Sequence, residues 1–159
     1  MRVMFNTNVM CRPYDDLRQA RIRIEATAAL TLLKMVRETK FDLLYSETLD
    51  AELCGIANDQ KKDTVLNSIE PYVKAFIPFN QTVEQLGLYI SQKCSIPDLF
   101  DCYHIASAVL LHADYFITCD DELTRKVDSL ERVLKKKEYT IYIRNPVDFL
   151  QEVNLNDIE

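Results

Sequence analysis

Short apolar segments and longer helix-forming segments alternate along the chain. Five apolar runs have the length of strands, and they cover residues 2–5, 42–45, 75–78, 115–118 and 140–143. Such alternation is typical of a parallel sheet whose strands are connected by helices. The run YFIT at 115–118 is apolar at successive positions, which indicates a strand covered on both faces. The pattern predicts an α/β fold, a three-layer α/β/α sandwich around a mainly parallel sheet of about five strands.

Seven stretches outside these runs are rich in helix-forming residues. They predict helices over residues 17–38, 46–58, 61–72, 82–93, 98–112, 121–137 and 146–153. No internal repeat and no linker rich in proline, glycine or serine divides the chain. We therefore expect residues 1–159 to form a single domain.

The predicted helix 98–112 is apolar nearly all round, which is typical of a helix packed inside the molecule. Asp101, His104 and Ser107 are spaced three apart and form one polar stripe on it. A charged group in such a place needs a partner. One interpretation is structural, because Asp101 in the first turn could accept from free backbone amides and interact with the helix dipole.

Other polar residues favour a second interpretation, a ligand site. Asn6 and Asn8 follow the first strand, and Asp120 and Asp121 follow the fourth. In open α/β sheets, ligands bind at the carboxyl ends of the strands. Glu52 lies in the helix after the second strand, on the flank of its apolar stripe, although a solvated surface glutamate is the alternative there.

Convergence of Glu52, Asp101 and Asp120 would concentrate negative charge in one place. Two carboxylates about 4 Å apart repel each other by roughly 4 kcal/mol at an effective dielectric of 20. Cations or protons must offset that repulsion, and oxygen ligands favour Mg²⁺ or Mn²⁺ over zinc. Divalent ions on an open carboxylate cluster are suited to phosphodiester cleavage, in which they activate water and neutralise charge.

The composition excludes several other classes of protein. Two glycines, Gly55 and Gly87, cannot supply a dinucleotide-binding or Walker loop. The five cysteines form no C-x-x-C pair, which favours reduced thiols over a zinc site or disulfides and predicts a cytoplasmic protein. No charged leader with an apolar run and no stretch of about 18 apolar residues is present, so we expect neither export nor membrane insertion.

The net charge limits where nucleic acid could bind. With 19 basic and 25 acidic residues the chain carries −6, so a nucleic-acid site must be local. Arg12 and Arg18 follow the first polar motif and are the candidates for RNA phosphate contacts. Arg21 and Arg23 are better explained as a solvated helix face.

Four segments of the chain together resemble the PIN-domain ribonucleases, and among them the VapC toxins of toxin–antitoxin pairs. They are MRVMFNTNVMCRPYDD, SETLDAEL, DCYHIASAVLLHADYFITCDDEL and IRNPVDFLQ, and they run almost from end to end. The resemblance implies catalytic, metal-binding positions at Asn6, Glu52, Asp101 and Asp120, with Asp121 as a helper. It also implies Mg²⁺ or Mn²⁺ as cofactor, RNA as substrate, a cognate antitoxin and a homodimer built from the first helices.

Asn6 departs from the family pattern, which has an aspartate at this position. An amide oxygen can ligate a metal weakly but supplies no charge, so the resemblance implies poor Mg²⁺ binding and slow or absent RNA cleavage. A naturally degenerate copy and a substitution that allows a toxic protein to be produced both explain Asn6, and the three intact acids favour the second. Restoring the acid with Asn6→Asp should raise cleavage.

Three further residues are expected to support the site. We expect His104 to orient a neighbouring carboxylate rather than act as a general base, Thr118 to hydrogen-bond near the fourth acid, and Asn8 to hold the first loop in shape. Two other functions stay open from the residues alone. One is a catalytically silent PIN scaffold that binds an antitoxin or RNA, and the other is a haloacid-dehalogenase-type phosphatase, for which both motif aspartates would be replaced.

Overall fold

The computed structural model describes residues 1–156 and the side chains of residues 1–154. Its centre is a sheet of the five strands β1 (Arg2–Phe5), β2 (Asp42–Ser46), β3 (Val73–Ile77), β4 (Tyr115–Ile117) and β5 (Tyr142–Arg144). Their order in the sheet is β3-β2-β1-β4-β5, and all four strand pairs are parallel. Residues 157–159, which the single-domain prediction includes, lie outside the described range.

Helices cover both faces of the sheet, so the predicted three-layer α/β/α sandwich is confirmed. The helix α2 packs against α9, and α5 packs against α6 and α8. The helices are α1 (Thr7–Cys11), α2 (Ala20–Arg37), α3 (Glu47–Cys54), α4 (Asp59–Ile69), α5 (Gln81–Cys94), α6 (Leu99–Leu110), α7 (Asp121–Arg125), α8 (Val127–Lys135) and α9 (Pro146–Asn156).

The prediction and the structure differ most in two helical regions. The short helix α1, which follows β1, was not predicted, because its five residues are too few to give an amphipathic period. The predicted helix 121–137 is two helices, α7 and α8, separated at Lys126. There the backbone leaves the α-helical path, and the Lys126 amide donates to Leu123 rather than one residue further back.

The central strands are buried on both faces. Val3, Met4 and Phe5 of β1 and Phe116 and Ile117 of β4 are completely inaccessible to solvent. Burial of consecutive residues is what helices on both faces of a parallel sheet produce. This sandwich holds the strand ends, where the polar residues stand, on a rigid core.

The register brings the carboxyl ends of β1, β2 and β4 to one edge of the sheet. Phe5 pairs with Ile117, and the amide of Asn6 donates to the Ile117 carbonyl at 2.8 Å. Ser46 ends β2 and caps α3, since its hydroxyl accepts from the Leu49 amide at 3.1 Å. The segments that carry Asn6, Glu52 and Asp120 therefore start from neighbouring strands.

The five cysteines are all free thiols, and Cys94, Cys102 and Cys119 are buried. Within residues 1–156, no helix combines the length and the apolar character that crossing a membrane requires.

Candidate functional site

A pocket of about 450 Å³ opens at the carboxyl edge of the sheet. The structure brings four predicted site residues together around it, and Asn8 joins them. We call it the acidic pocket, and its lining residues are Asn6, Thr7, Asn8, Cys11, Glu52, Ile56, Asp98, Asp101 and Asp120. Four chain segments that are distant in sequence thus contribute oxygen-bearing side chains to one cavity.

Asn6 is fixed at the base of this pocket. It is the residue that precedes α1, and only 2% of its surface is exposed. Its side-chain Nδ2 donates to Thr118 Oγ1 at 3.0 Å, and its Oδ1 lies 3.1 Å from the hydroxyl oxygen of Thr7. The side-chain amide of Asn6 therefore belongs to a hydrogen-bonded network that joins the end of β1 to the end of β4.

Thr118 and Asn8 tie the first loop to the fourth acid segment. Thr118 is fully buried, and its hydroxyl also accepts from the Asp120 amide at 3.1 Å. Asn8 Oδ1 accepts from the Cys119 amide at 2.9 Å. These bonds set the position of Asp120 relative to Asn6.

Glu52 is held by two donors. His104 Nε2 lies 2.8 Å from Glu52 Oε1, and the Thr7 hydroxyl donates to Glu52 Oε2. Burial alone would raise the pKa of Glu52, but the hydrogen bond and the charge of His104, with the Thr7 hydroxyl, outweigh burial and lower it. Glu52 is thus an oriented carboxylate that stays ionised.

Asp101 is the most perturbed acid of the pocket. Burial, followed by the charges of Asp98, Asp120 and Glu52, raises its pKa to about 7, although the Asn6 amide acts in the opposite direction. The carboxyl group therefore holds its proton close to neutral pH when no cation is present. Burial is the largest cause of this shift, and the neighbouring carboxylates add to it.

Asp98 is a further acid of the pocket that the sequence reasoning missed. Its Oδ1 accepts from the amides of Phe100 at 2.9 Å and Asp101 at 3.4 Å, so Asp98 caps α6. The backbone amides that Asp101 could have satisfied are therefore occupied by Asp98. The signal was available, because an aspartate after a proline is a common residue at the start of a helix.

Asp120 and Asp121 have different surroundings. Asp120 Oδ1 accepts from the amides of Glu122 at 2.7 Å and Leu123 at 3.1 Å, which starts α7 beside the pocket. Asp121 does not line the pocket, since its carboxylate forms two bonds with the guanidinium of Arg21. Those bonds lower the pKa of Asp121.

The two arginines proposed for RNA binding lie outside the pocket lining. Arg12 is 18% exposed, and its Nε stands 2.8 Å from Oε2 of the buried Glu25. Arg18 is 90% exposed and pairs with Asp16. Arg12 is thus engaged within the protein, and its role toward RNA stays a prediction.

Glu25 also pairs with Arg21 at 2.9 Å, and its place among apolar neighbours on α2 was not expected.

The oxygen atoms that line the acidic pocket are of the type that binds a hard cation, but they do not form a complete metal-binding site. Asn6, Asp101 and Asp120 present oxygens, and a divalent cation would offset both the burial of the Asp101 carboxylate and the charges around it. Yet within the described part of the chain, no three histidine, cysteine or acidic side chains gather tightly enough to hold a metal ion. An uncharged amide at position 6 and a Glu52 engaged by His104 and Thr7 fit that result.

Comparisons of sequence found no relative. No family model matches the chain, and no curated protein has a significantly similar sequence.

Comparisons of structure show the fold. A chain of FitAcB from Neisseria gonorrhoeae superposes with a TM-score of 0.54 at 18% identity, over 91% of this chain and 97% of that one. A chain of VapBC2 from Rickettsia felis, bound to a DNA fragment from its promoter, gives a TM-score of 0.57 at 11% identity, over 91% of this chain and 98% of that one. A chain of FitAB bound to an IR36 DNA fragment gives a TM-score of 0.57 at 19% identity, over 91% of this chain and 94% of that one. The chain thus shares the fold of chains in these complexes, a PIN-like fold, as the sequence resemblance implied.

Proposed function

We propose that this protein is a metal-dependent endoribonuclease of the VapC toxin type, with its active site in the acidic pocket. The observation that carries the proposal is the meeting of Asn6, Glu52, Asp101 and Asp120 at the carboxyl ends of parallel strands. Carboxylates in that position suit cleavage of a phosphodiester by water. With Asn6 in place of the first acid, we propose that the chain is impaired.

Asp101, Asp120 and the Asn6 amide are the residues that would hold Mg²⁺ or Mn²⁺. A bound divalent cation would supply activation of water and neutralisation of charge on the phosphate. Asp101 must first release its proton, because the pKa of its carboxyl group is raised to about 7. Cation binding should therefore strengthen as the pH rises through neutrality.

Glu52 contributes a fixed negative charge at the side of the pocket. Its two oxygens accept from His104 Nε2 and the Thr7 hydroxyl, so the carboxylate cannot rotate freely. We propose that His104 is a positioning residue for Glu52. A preorganised charge of this kind needs no reorientation when substrate binds.

We propose a protein partner of the antitoxin class and a homodimer as the functional assembly. The similar chains belong to FitAcB, FitAB and VapBC2, which supports an antitoxin as partner. The acidic pocket is open and negative, so a basic segment of the partner would complement it. RNA is the proposed substrate.

The test is to restore the acid with Asn6→Asp and to measure RNA cleavage in Mg²⁺ or Mn²⁺. We expect cleavage to rise roughly 100-fold or more over the Asn6 protein, because a charged ligand replaces a neutral one. The matched control is Asn6→Asp combined with Asp101→Asn, which should return to the starting rate. An inert Asn6→Asp protein on all RNAs tested would overturn the proposal.

The ends of the products separate this chemistry from a contaminating ribonuclease. Attack by water leaves a 5′-phosphate, whereas attack by the ribose 2′-hydroxyl leaves a 5′-hydroxyl and a cyclic phosphate. We expect the products of the Asn6→Asp protein to be degraded by an exonuclease that requires a 5′-phosphate, and EDTA to stop their formation.

A second candidate function is a silent PIN scaffold that binds an antitoxin or RNA without cutting. The neutral Asn6 and the lack of three gathered ligands among the described residues favour it. This function predicts partner binding without cleavage even after Asn6→Asp, so the same experiment separates the two.

A further inference from the structure

A second cavity of about 250 Å³ lies beside the acidic pocket. Its walls include Phe79, Phe100 and Tyr103, and Glu47 stands at its edge. We call it the aromatic pocket. Phe79 and Phe100 are 43% and 47% exposed, so each presents much of an apolar ring to solvent.

The walls of the aromatic pocket are held by specific packing. The ring of Tyr103 meets that of Phe79 edge-on, with centroids 5.1 Å apart, and the Phe100 ring lies 6.3 Å from it. Tyr103 can occupy this place only because position 87 on α5 is glycine. A Cβ there would lie 2.4 Å from Tyr103 Cδ1.

The aromatic pocket adjoins the acidic pocket through two helices. On α3, Glu47 borders the aromatic pocket and Glu52 borders the acidic one. On α6, Phe100 precedes Asp101, and the Phe100 ring lies 6.5 Å from the imidazole of His104, which contacts Glu52. The two cavities are therefore lined by neighbouring parts of the same two helices.

We propose that the aromatic pocket binds one unpaired base of the RNA whose phosphate lies in the acidic pocket. This inference rests on the proposed function and adds a specificity site to it. Unpaired bases of RNA are bound by stacking on exposed aromatic side chains. A cavity of about 250 Å³ has room for a single base and not for a folded segment of a partner.

Charge determines which part of the RNA can enter. Glu47 lines the aromatic pocket and repels phosphate there, whereas a neutral base is not repelled. Glu47 Oε2 accepts from the Phe79 amide at 2.6 Å, which leaves Oε1 to accept from the base edge. Guanine presents two adjacent donors, N1–H and N2–H₂, whereas the N3–H of uracil is flanked by two carbonyl oxygens that a carboxylate repels, so guanine is favoured over uracil.

The absence of tryptophan from the chain provides a direct test. Phe79→Trp introduces a single tryptophan into the aromatic pocket, and Tyr142→Trp on β5 is the matched control at a remote exposed position. Both proteins keep Asn6 and are titrated in Mg²⁺ with short single-stranded RNAs. The RNAs carry guanine, uracil or an abasic site at one position.

We expect RNA to quench the fluorescence of the Phe79→Trp protein saturably and not that of the Tyr142→Trp control. The affinity of the Phe79→Trp protein for the abasic RNA should be about tenfold lower than for the guanine RNA. Glu47→Gln should reduce the preference for guanine over uracil. Phe100→Trp repeats the measurement from the opposite wall in case the first variant disturbs Tyr103. Equal affinity of the Phe79→Trp and Phe100→Trp proteins for guanine and abasic RNAs would overturn the inference. Quenching of these two proteins by a partner peptide but by no RNA would also overturn it.

Failure of this inference is distinguishable from failure of the proposed function. In an Asn6→Asp background, Phe100→Leu should slow cleavage of RNA that carries the base but not of abasic RNA. Cleavage that is unchanged on both RNAs would reject the base site and leave the nuclease intact. Base-dependent quenching with an inert Asn6→Asp protein would support the base site and reject the nuclease.

Discussion

The fully buried imidazole of His104 contacts the carboxylate of Glu52, with Nε2 and Oε1 2.8 Å apart. The second ring nitrogen, Nδ1, is buried and finds no hydrogen-bond partner among the described residues. The contact to Glu52 is therefore the polar role that the structure gives to this ring. It connects the interior of α6 with the edge of the acidic pocket.

Replacing His104 should raise the pKa of Glu52. His104→Leu keeps most of the buried volume but removes the donor and the charge that lower that pKa. We expect the pKa of Glu52 to rise in this variant, and a pH titration followed by carboxyl-carbon NMR measures the change. Ser107→Ala, a change one turn further along the same buried stripe, is the control and should leave that pKa where it is. An unchanged Glu52 titration in the His104→Leu protein would refute the positioning role.

Asp101 should make the stability of the metal-free protein depend on pH. Its pKa is raised from 3.8 to about 7 in the folded state, so folding favours the protonated form. The stability that this group contributes is complete below pH 4 and is lost as the pH rises toward and through 7. Asp101→Asn should therefore stabilise the protein at pH 8 and have no such effect at pH 4.

The expected gain is modest. The shift corresponds to at most about 4 kcal/mol, and solvent screening reduces it to roughly 1–3 kcal/mol. Urea unfolding in EDTA at several pH values measures it, with Asp63→Asn, an exposed acid on α4, as the control. A constant difference between parent and Asp101→Asn across this range would contradict the crowding of charge in the pocket.

Gly87→Ala should destabilise the protein although alanine is the better helix former. The helix itself would gain about 1 kcal/mol, but the new Cβ would lie 2.4 Å from Tyr103 Cδ1. Overpacking typically costs about 1–3 kcal/mol, so we expect a net loss in thermal unfolding. Gly55→Ala, whose Cβ would meet only backbone oxygens at 3.3 Å or more, should change stability less. Combination with Tyr103→Leu should recover part of the loss, and no recovery would place the clash elsewhere.

The buried and exposed ion pairs of the first helical region should differ sharply in energy. Glu25 is 3% exposed and contacts both Arg12 and Arg21. Glu25→Gln leaves these cations without their buried partner, and we expect a loss of about 2–4 kcal/mol in urea unfolding. Arg18→Ala should have no measurable effect, because Arg18 and Asp16 are both solvated. Equal effects of the two changes would be inconsistent with the burial of Glu25.

The order of strands and long helices could be predicted because its signals are local. The apolar runs at β1, β2 and β4 were long enough to identify strands, and α6 was identified by its apolar surface. The helix α1 follows the bond from the Asn6 amide to the Ile117 carbonyl, and at the break the Lys126 ammonium donates to the Ser95 carbonyl. Both places adjoin contacts with distant segments, which no local pattern shows.

The sequence was enough to predict which residues form the site, but not which hydrogen bonds they make. Asn6, Glu52, Asp101 and Asp120 were identified from strand ends and motif resemblance, and the structure places them around one pocket. The pairing of Asp121 with Arg21, across 100 positions of sequence, had no signal in either segment. Such long-range partners determine whether an acid faces the pocket or the surface.

Mn²⁺ binding, measured by electron paramagnetic resonance, tests most directly whether the acidic pocket is a divalent-cation site that lacks one charge. The three proteins to compare are the Asn6 chain, Asn6→Asp, and Asn6→Asp combined with Asp101→Asn. We expect the Asn6→Asp protein to bind Mn²⁺ at least about tenfold more tightly than the Asn6 chain. A tenfold gain corresponds to about 1.4 kcal/mol, which is less than the attraction between Mn²⁺ and an added carboxylate. The double variant should lose that gain. Equal affinities for all three proteins would contradict the assignment of the pocket.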